Sequence, residues 1–112
     1  MALPDDLWLV DFGLPHPGEP AARRPALVLG PPATFGPGFP FVIVVPLITA
    51  RRALSLHVEV EATPATGLAQ TSYAQCELVR SVNRNRLVHH LGVIDSATSL
   101  QVGAVMRTLF GY

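Results

Sequence analysis

The sequence predicts a small, mostly β domain of the α+β class, with antiparallel strands and one C-terminal helix packed on them. Three observations carry that expectation. Short apolar or alternating segments recur between clusters of turn-forming residues. Pro (11) and Gly (9) are too frequent in 112 residues for a helical bundle. Helical spacing of apolar side chains occurs in one place, near the C-terminus. The length suits a single domain over residues 1–112. With 49% hydrophobic and 14% charged residues, the composition excludes disorder.

The elements follow in chain order. Leu7-Trp8-Leu9-Val10-Asp11-Phe12 is a short apolar run ended by Gly13 and reads as a strand. A polar, proline-rich loop over 13–24 leads to Pro25, which opens a second strand, Ala26 to Leu29. The loop 30–40, dense in Gly and Pro, holds Phe35 and Phe39. Phe41 to Thr49 is apolar on both alternating faces, as expected of a strand covered on two sides. Pro46 cannot donate to a ladder, which predicts a bulge or an exposed edge there. Ser55 to Glu61 alternates, with Leu56, Val58 and Val60 inward and His57, Glu59 and Glu61 outward, making His57 a surface residue. After a turn at 63–67, Tyr73 to Val82 reads as one strand, and 84–91 as a turn and a short strand. Asp95 or Ser96 then caps a helix whose Val102, Val105, Met106, Leu109 and Phe110 share helical spacing. Trp8, Phe12 and Phe41 are the expected aromatic core.

Several chemistries are excluded. All eight basic residues are Arg, so Schiff-base catalysis and a Walker-type Lys are ruled out. Eight acidic residues balance them. No Cys-x-x-Cys, His-Glu-x-x-His or carboxylate cluster has metal-binding spacing, and no cofactor motif occurs, so neither metal nor cofactor is expected. Adjacent His89 and His90 point opposite ways on a strand and cannot share an ion. Cys76, the only cysteine, forms no disulfide and fits a reducing cytoplasm. No signal peptide or apolar run long enough to cross a bilayer is present, so no membrane partner is expected.

What remains is acid–base and electrostatic chemistry. Pro25 forces Arg24 towards an extended backbone at the mouth of its strand, where the guanidinium fork suits a phosphate. Glu19 on the preceding loop could act as a base or hold an arginine. Thr49 ends its strand and leads into Arg51 and Arg52, a second anion-binding pattern. Arg80, Arg84 and Arg86 make a third basic group after Glu77. The ordinary reading of each group is a solvated charged surface with Glu19 paired to an arginine.

Taken together, Gly18-Glu19-Pro20-Ala21-Ala22-Arg23-Arg24-Pro25 with its apolar strand, Val45-Pro46-Leu47-Ile48-Thr49, Leu56-His57-Val58-Glu59-Val60, Cys76-Glu77-Leu78-Val79-Arg80-Ser81-Val82, Arg86-Leu87 and Leu91-Gly92 resemble the MazF/PemK/Kid family of toxin ribonucleases from bacterial toxin–antitoxin modules. The resemblance runs from Leu7 to about Leu109. It implies an SH3-like barrel of the MazF/Kid/CcdB type, a homodimer, and metal-independent cleavage of single-stranded RNA. By position, Arg24 and Thr49 would be the catalytic pair and Glu19 would support RNA binding or proton transfer. His16, Arg23, Arg51, Arg52, Glu77 and Arg80 would bind RNA. The implied partner is a MazE-like antitoxin with an acidic, flexible segment. The chain departs from the pattern at Gly18, where one branch has His, and at Gln75-Cys76-Glu77, where that branch has Arg-Cys-Asp. Pro46 also stands three residues before Thr49 instead of two, and Ala50 replaces a polar residue, which predicts lower activity or altered RNA preference. A competing resemblance, to CcdB-like gyrase poisons, rests on the tail Phe110-Gly111-Tyr112, and a degenerate toxin that only binds antitoxin is a third reading.

Overall fold

Alternation in the first three strands sorts their side chains onto two faces, and each face has its own apolar cluster. A computed structural model describes residues 2–14, 17, 22–32 and 38–112. The proposed site residues His16 and Glu19, and also Phe35, lie outside the described residues. Strands β1 (Asp6–Asp11), β2 (Arg23–Gly30), β3 (Phe41–Ile48), β4 (His57–Val60), β5 (Ser72–Gln75), β6 (Arg80–Asn83) and β7 (Leu87–Val93) precede helix α1 (Ser96–Phe110). They form one antiparallel sheet in the order β4-β5-β3-β2-β1-β7, with β6 also paired to β3. The expected mostly-β fold with a C-terminal helix is what the chain adopts.

On one face Leu7, Leu27, Val45 and Leu47 pack with Val58, Val60, Ala74, Cys76, Ile94 and Val102 of α1. On the other, Val10, Ala26, Val28, Val42 and Val44 pack with Phe12 and Val82. Burying aliphatic side chains on both faces stabilises by about 1.5–3 kcal/mol for each fully covered one. The helix packs on β4 and on the turn at Cys76, so it leaves the N-terminal half of β3 uncovered. Phe41 is therefore 45% exposed rather than core.

The segment expected as one strand from Tyr73 to Val82 is broken by a 3₁₀ turn at Cys76–Leu78. The break has a cause in the sheet. β5 pairs with the end of β3 at Leu47 and Ile48, whereas β6 pairs with its beginning, Phe41 to Val44. Val45 and Pro46 have no partner in either β5 or β6, and Pro46 is neither at a bulge nor on an exposed edge. Pro46 is instead buried in register with Ala26, and the irregularity in that ladder falls between Val28 and Gly30.

Arg84 and Arg86, read as solvated, are tied to backbone. Arg84 Nε donates to the Phe39 carbonyl, and Arg86 Nη1 to the Asp11 carbonyl at 3.1 Å. At the tail, Gly111 adopts φ 77° and closes α1 through bonds to Arg107 and Thr108 carbonyls. The Phe110-Gly111-Tyr112 triplet is thus a helix C-cap, which accounts for its glycine without gyrase.

Asp95 is the N-cap, accepting from Thr98 N at 2.8 Å. Hydrogen bonds from Thr98 hold its carboxyl below the usual carboxylate range. A carboxyl depressed in the folded state stabilises it above the unfolded pKa, and loses that contribution as pH falls through the folded value. Asp95→Ala should therefore lower the thermal midpoint at pH 7, and the gap from the parent should narrow as pH falls through the lowered carboxyl pKa. Equal midpoints at pH 7 would show that the cap contributes nothing.

Candidate active site

The start of β2 and the end of β3 lie side by side because Ala26 pairs with Pro46. The base of the first loop is pinned: Phe12 N donates to the Ala22 carbonyl and Ala22 N to that of Gly13, both at 2.9 Å. Asp11 strengthens this corner. One of its oxygens accepts from Gly13 N at 2.9 Å, and the other lies 4.0 Å from Arg23 Nε. That last pair is open to solvent and worth little energetically, but it leans Arg23 towards β1.

Arg23, Arg24, Leu47, Ile48, Thr49 and Arg52 line one hollow of about 450 Å³. The sequence-predicted pair, Arg24 and Thr49, is brought together. β3 ends at Ile48 and the chain bends at Thr49 and Ala50, so strand alternation does not dictate where Thr49 points. The displaced proline therefore does not carry Thr49 out of the hollow. Arg24 is half-buried and Thr49 exposed, and both line the hollow, one with a guanidinium and the other with a hydroxyl.

Arg52 also lines a second hollow, with Arg51, Ser55, His57, Glu59, Tyr73 and Gln101, and so borders both. Arg51 and Arg52 are both exposed there. His57 is not the surface residue its alternation suggests. Its side chain is 3% exposed, and Nε2 lies 2.8 Å from Glu77 Oε2. Glu77 thus braces His57 from the 3₁₀ turn instead of standing open for a ligand. Arg80 pairs across β3 with Val44, which puts it on the face of Ala26 and Arg24, with its guanidinium 5.7 Å from the Phe12 ring centroid.

Burial first, and then the Glu77 charge, push the Cys76 thiol up to about 11. It stays protonated at neutral pH and offers no nucleophile. Among the described residues, no group of His, Cys, Asp and Glu side chains could hold a metal ion, and no helix is long and apolar enough to cross a membrane. The arrangement is suited to binding an anion and stabilising negative charge on it through guanidinium and hydroxyl donors. Sequence reasoning missed Glu59 and Tyr73, which the strand pairing places opposite each other in the second hollow.

Residues 4–110 match a family model described as the PemK-like, MazF-like toxin of type II toxin–antitoxin systems. The fold is similar to that of solved structures at low identity. A MazF from Deinococcus radiodurans superposes with TM-score 0.83 at 21% identity, covering 99% of this chain and 97% of that one. The Mycobacterium tuberculosis toxin MazF-mt6 gives 0.78 at 21% identity, covering 95% and 96%. An endoribonuclease from a mycobacterial species, solved in complex with its cognate antitoxin, gives 0.79 at 19% identity, covering 99% and 96%.

Proposed function

Since the chain belongs to the PemK-like, MazF-like toxins of type II toxin–antitoxin systems, we propose that it is a metal-independent endoribonuclease cutting single-stranded RNA in the cytoplasm. The observation that carries this reading is the shared hollow of Arg24, Thr49 and Arg52. In the reaction, the ribose 2′ oxygen forms a bond to the adjacent phosphorus as its proton passes to a base. The bond from phosphorus to the 5′ oxygen then breaks, and that oxygen takes up a proton. The products carry 2′,3′-cyclic phosphate and 5′-hydroxyl ends.

Arg24 binds the non-bridging oxygens with two parallel hydrogen bonds and opposes the charge that builds on them. Thr49 donates from its hydroxyl to the same phosphorane. Glu19, on the loop before β2, supports RNA binding or proton transfer. Arg23, Arg51, Arg52 and Arg80, with His16, hold neighbouring phosphates and bases. The formal net charge is zero, so backbone affinity must come from this local excess of cations.

The active form is a homodimer, which doubles the arginine surface, and a MazE-like antitoxin neutralises it by laying an acidic segment along the groove. A monomeric mass by light scattering at micromolar concentration would overturn the dimer. For the chemistry, purified protein is incubated with a long single-stranded RNA in EDTA and the new ends are mapped. Fragments with cyclic-phosphate ends are expected. Intact RNA together with trapped gyrase–DNA complexes would instead support a gyrase poison.

A further inference from the structure

The register of the strands extends the arginine hollow into a row. Ile48 pairs with Tyr73, and Tyr73 with Glu59, on the face opposite Leu47, Ala74 and Val58. Arg24 lines the same hollow as Ile48. Arg24, Ile48, Tyr73 and Glu59 therefore stand on four neighbouring strands along one face, spanning about 14 Å at the usual strand spacing. We infer that Tyr73 and Glu59 form a nucleobase subsite that selects guanine in the strand crossing this row. The inference rests on the ribonuclease reading.

The chemistry of the second hollow argues for a base rather than another phosphate. Arg51 and Arg52 can hold backbone oxygens at its rim, but Glu59 repels them. Among the described residues, no ion pair joins Glu59 to an arginine, so its charge is not consumed across the hollow. Tyr73 is half-buried, with its hydroxyl 3.4 Å from Glu59 Oε1, and this contact orients the carboxylate. A half-buried ring beside guanidiniums is a stacking platform, and stacking tolerates any base. Selection must then come from the carboxylate, which only accepts hydrogen bonds. Guanine presents two adjacent donors, N1–H and the N2 amino group, matching two carboxylate oxygens. Uracil presents one donor between two carbonyls that a carboxylate repels. Adenine and cytosine set their amino group beside a lone pair. Guanine is the base that fits without repulsion.

The test uses single-stranded RNAs with guanine near the cut, and the same strands with inosine, which lacks only the N2 amino group. At one position close to the cut, inosine should lower kcat/KM about tenfold. Glu59→Gln should shrink that difference to about twofold or less. Tyr73→Leu should weaken all strands alike, by about tenfold. Unchanged guanine preference in Glu59→Gln, or a preference for uracil at every flanking position, would overturn the subsite. Binding of the same strands in 2′-O-methyl form, which cannot be cleaved, is followed by fluorescence anisotropy. If no RNA is cut, the ribonuclease reading fails. The guanine–inosine difference in binding, present or absent, still decides the subsite.

Discussion

Arg24→Ala is expected to lower kcat/KM on single-stranded RNA by about 10²–10³-fold, the usual effect of removing one preorganised donor from a developing anion. The thermal midpoint should move by less than about 5 °C, because the side chain is only half-buried and both apolar clusters are left intact. Arg24→Lys keeps a charge but loses the planar fork, and should recover part of the activity without restoring it. Thr49→Ala should cost about as much as Arg24→Ala, since the proposed mechanism sets both groups on one phosphorane. The double variant should fall well short of the product of the two losses, because groups that act as a unit are not additive. Product ends mapped for each variant complete the measurement. Parent-level cyclic-phosphate formation by Arg24→Ala would remove this residue from the chemistry.

Much of this site is legible along the chain, and the rest is not for a physical reason. Arg24 is tied by Pro25 to an extended backbone at a strand mouth, so local sterics already set the base of its guanidinium, and Arg24 lines the hollow with Thr49. The alternating face of Val58 and Val60 and the Asp95 cap are likewise local signals. His57 is different. Its period-2 position says outward, yet Glu77, twenty positions later, folds over it. Nothing within a strand's length of His57 encodes that partner. The turn at Cys76–Leu78 is hidden in the same way, because Cys76, Leu78 and Val79 look strand-like. The pairing demands of the two halves of β3 impose the break. Glu59 and Tyr73 meet through cross-strand register, so a linear reading leaves Glu59 on a polar strand face and Tyr73 without a role.

Gly92→Ala should be strongly destabilising for so small a substitution. The turn over 63–67 lies directly on β7: Val93 N donates to the Ala65 carbonyl at 2.9 Å, and Thr66, buried, bonds to the Glu61 carbonyl at 2.8 Å. A Cβ at Gly92 would overlap the Ala65 carbonyl oxygen and stand 2.5 Å from Thr66 carbonyl atoms. These are backbone atoms inside a hydrogen-bonded turn, so no rotamer change relieves the collision. Either the turn lifts from β7 and loses its bonds, or β7 bends away from β1. We expect a loss of about 3 kcal/mol or more, and a fall of about 15 °C in the thermal midpoint. Gly67→Ala should act in the same sense from the opposite partner, since its Cβ would overlap the Leu91 carbonyl and its φ of 67° disfavours any side chain. Gly103→Ala is the control with the reverse sign. That glycine sits in α1 with nothing within 4 Å of a Cβ, so alanine should stabilise by about 0.5–1 kcal/mol through helix propensity. Thermal unfolding of the three variants separates the two causes. A midpoint for Gly92→Ala within a few degrees of the parent would mean that the turn does not rest on β7.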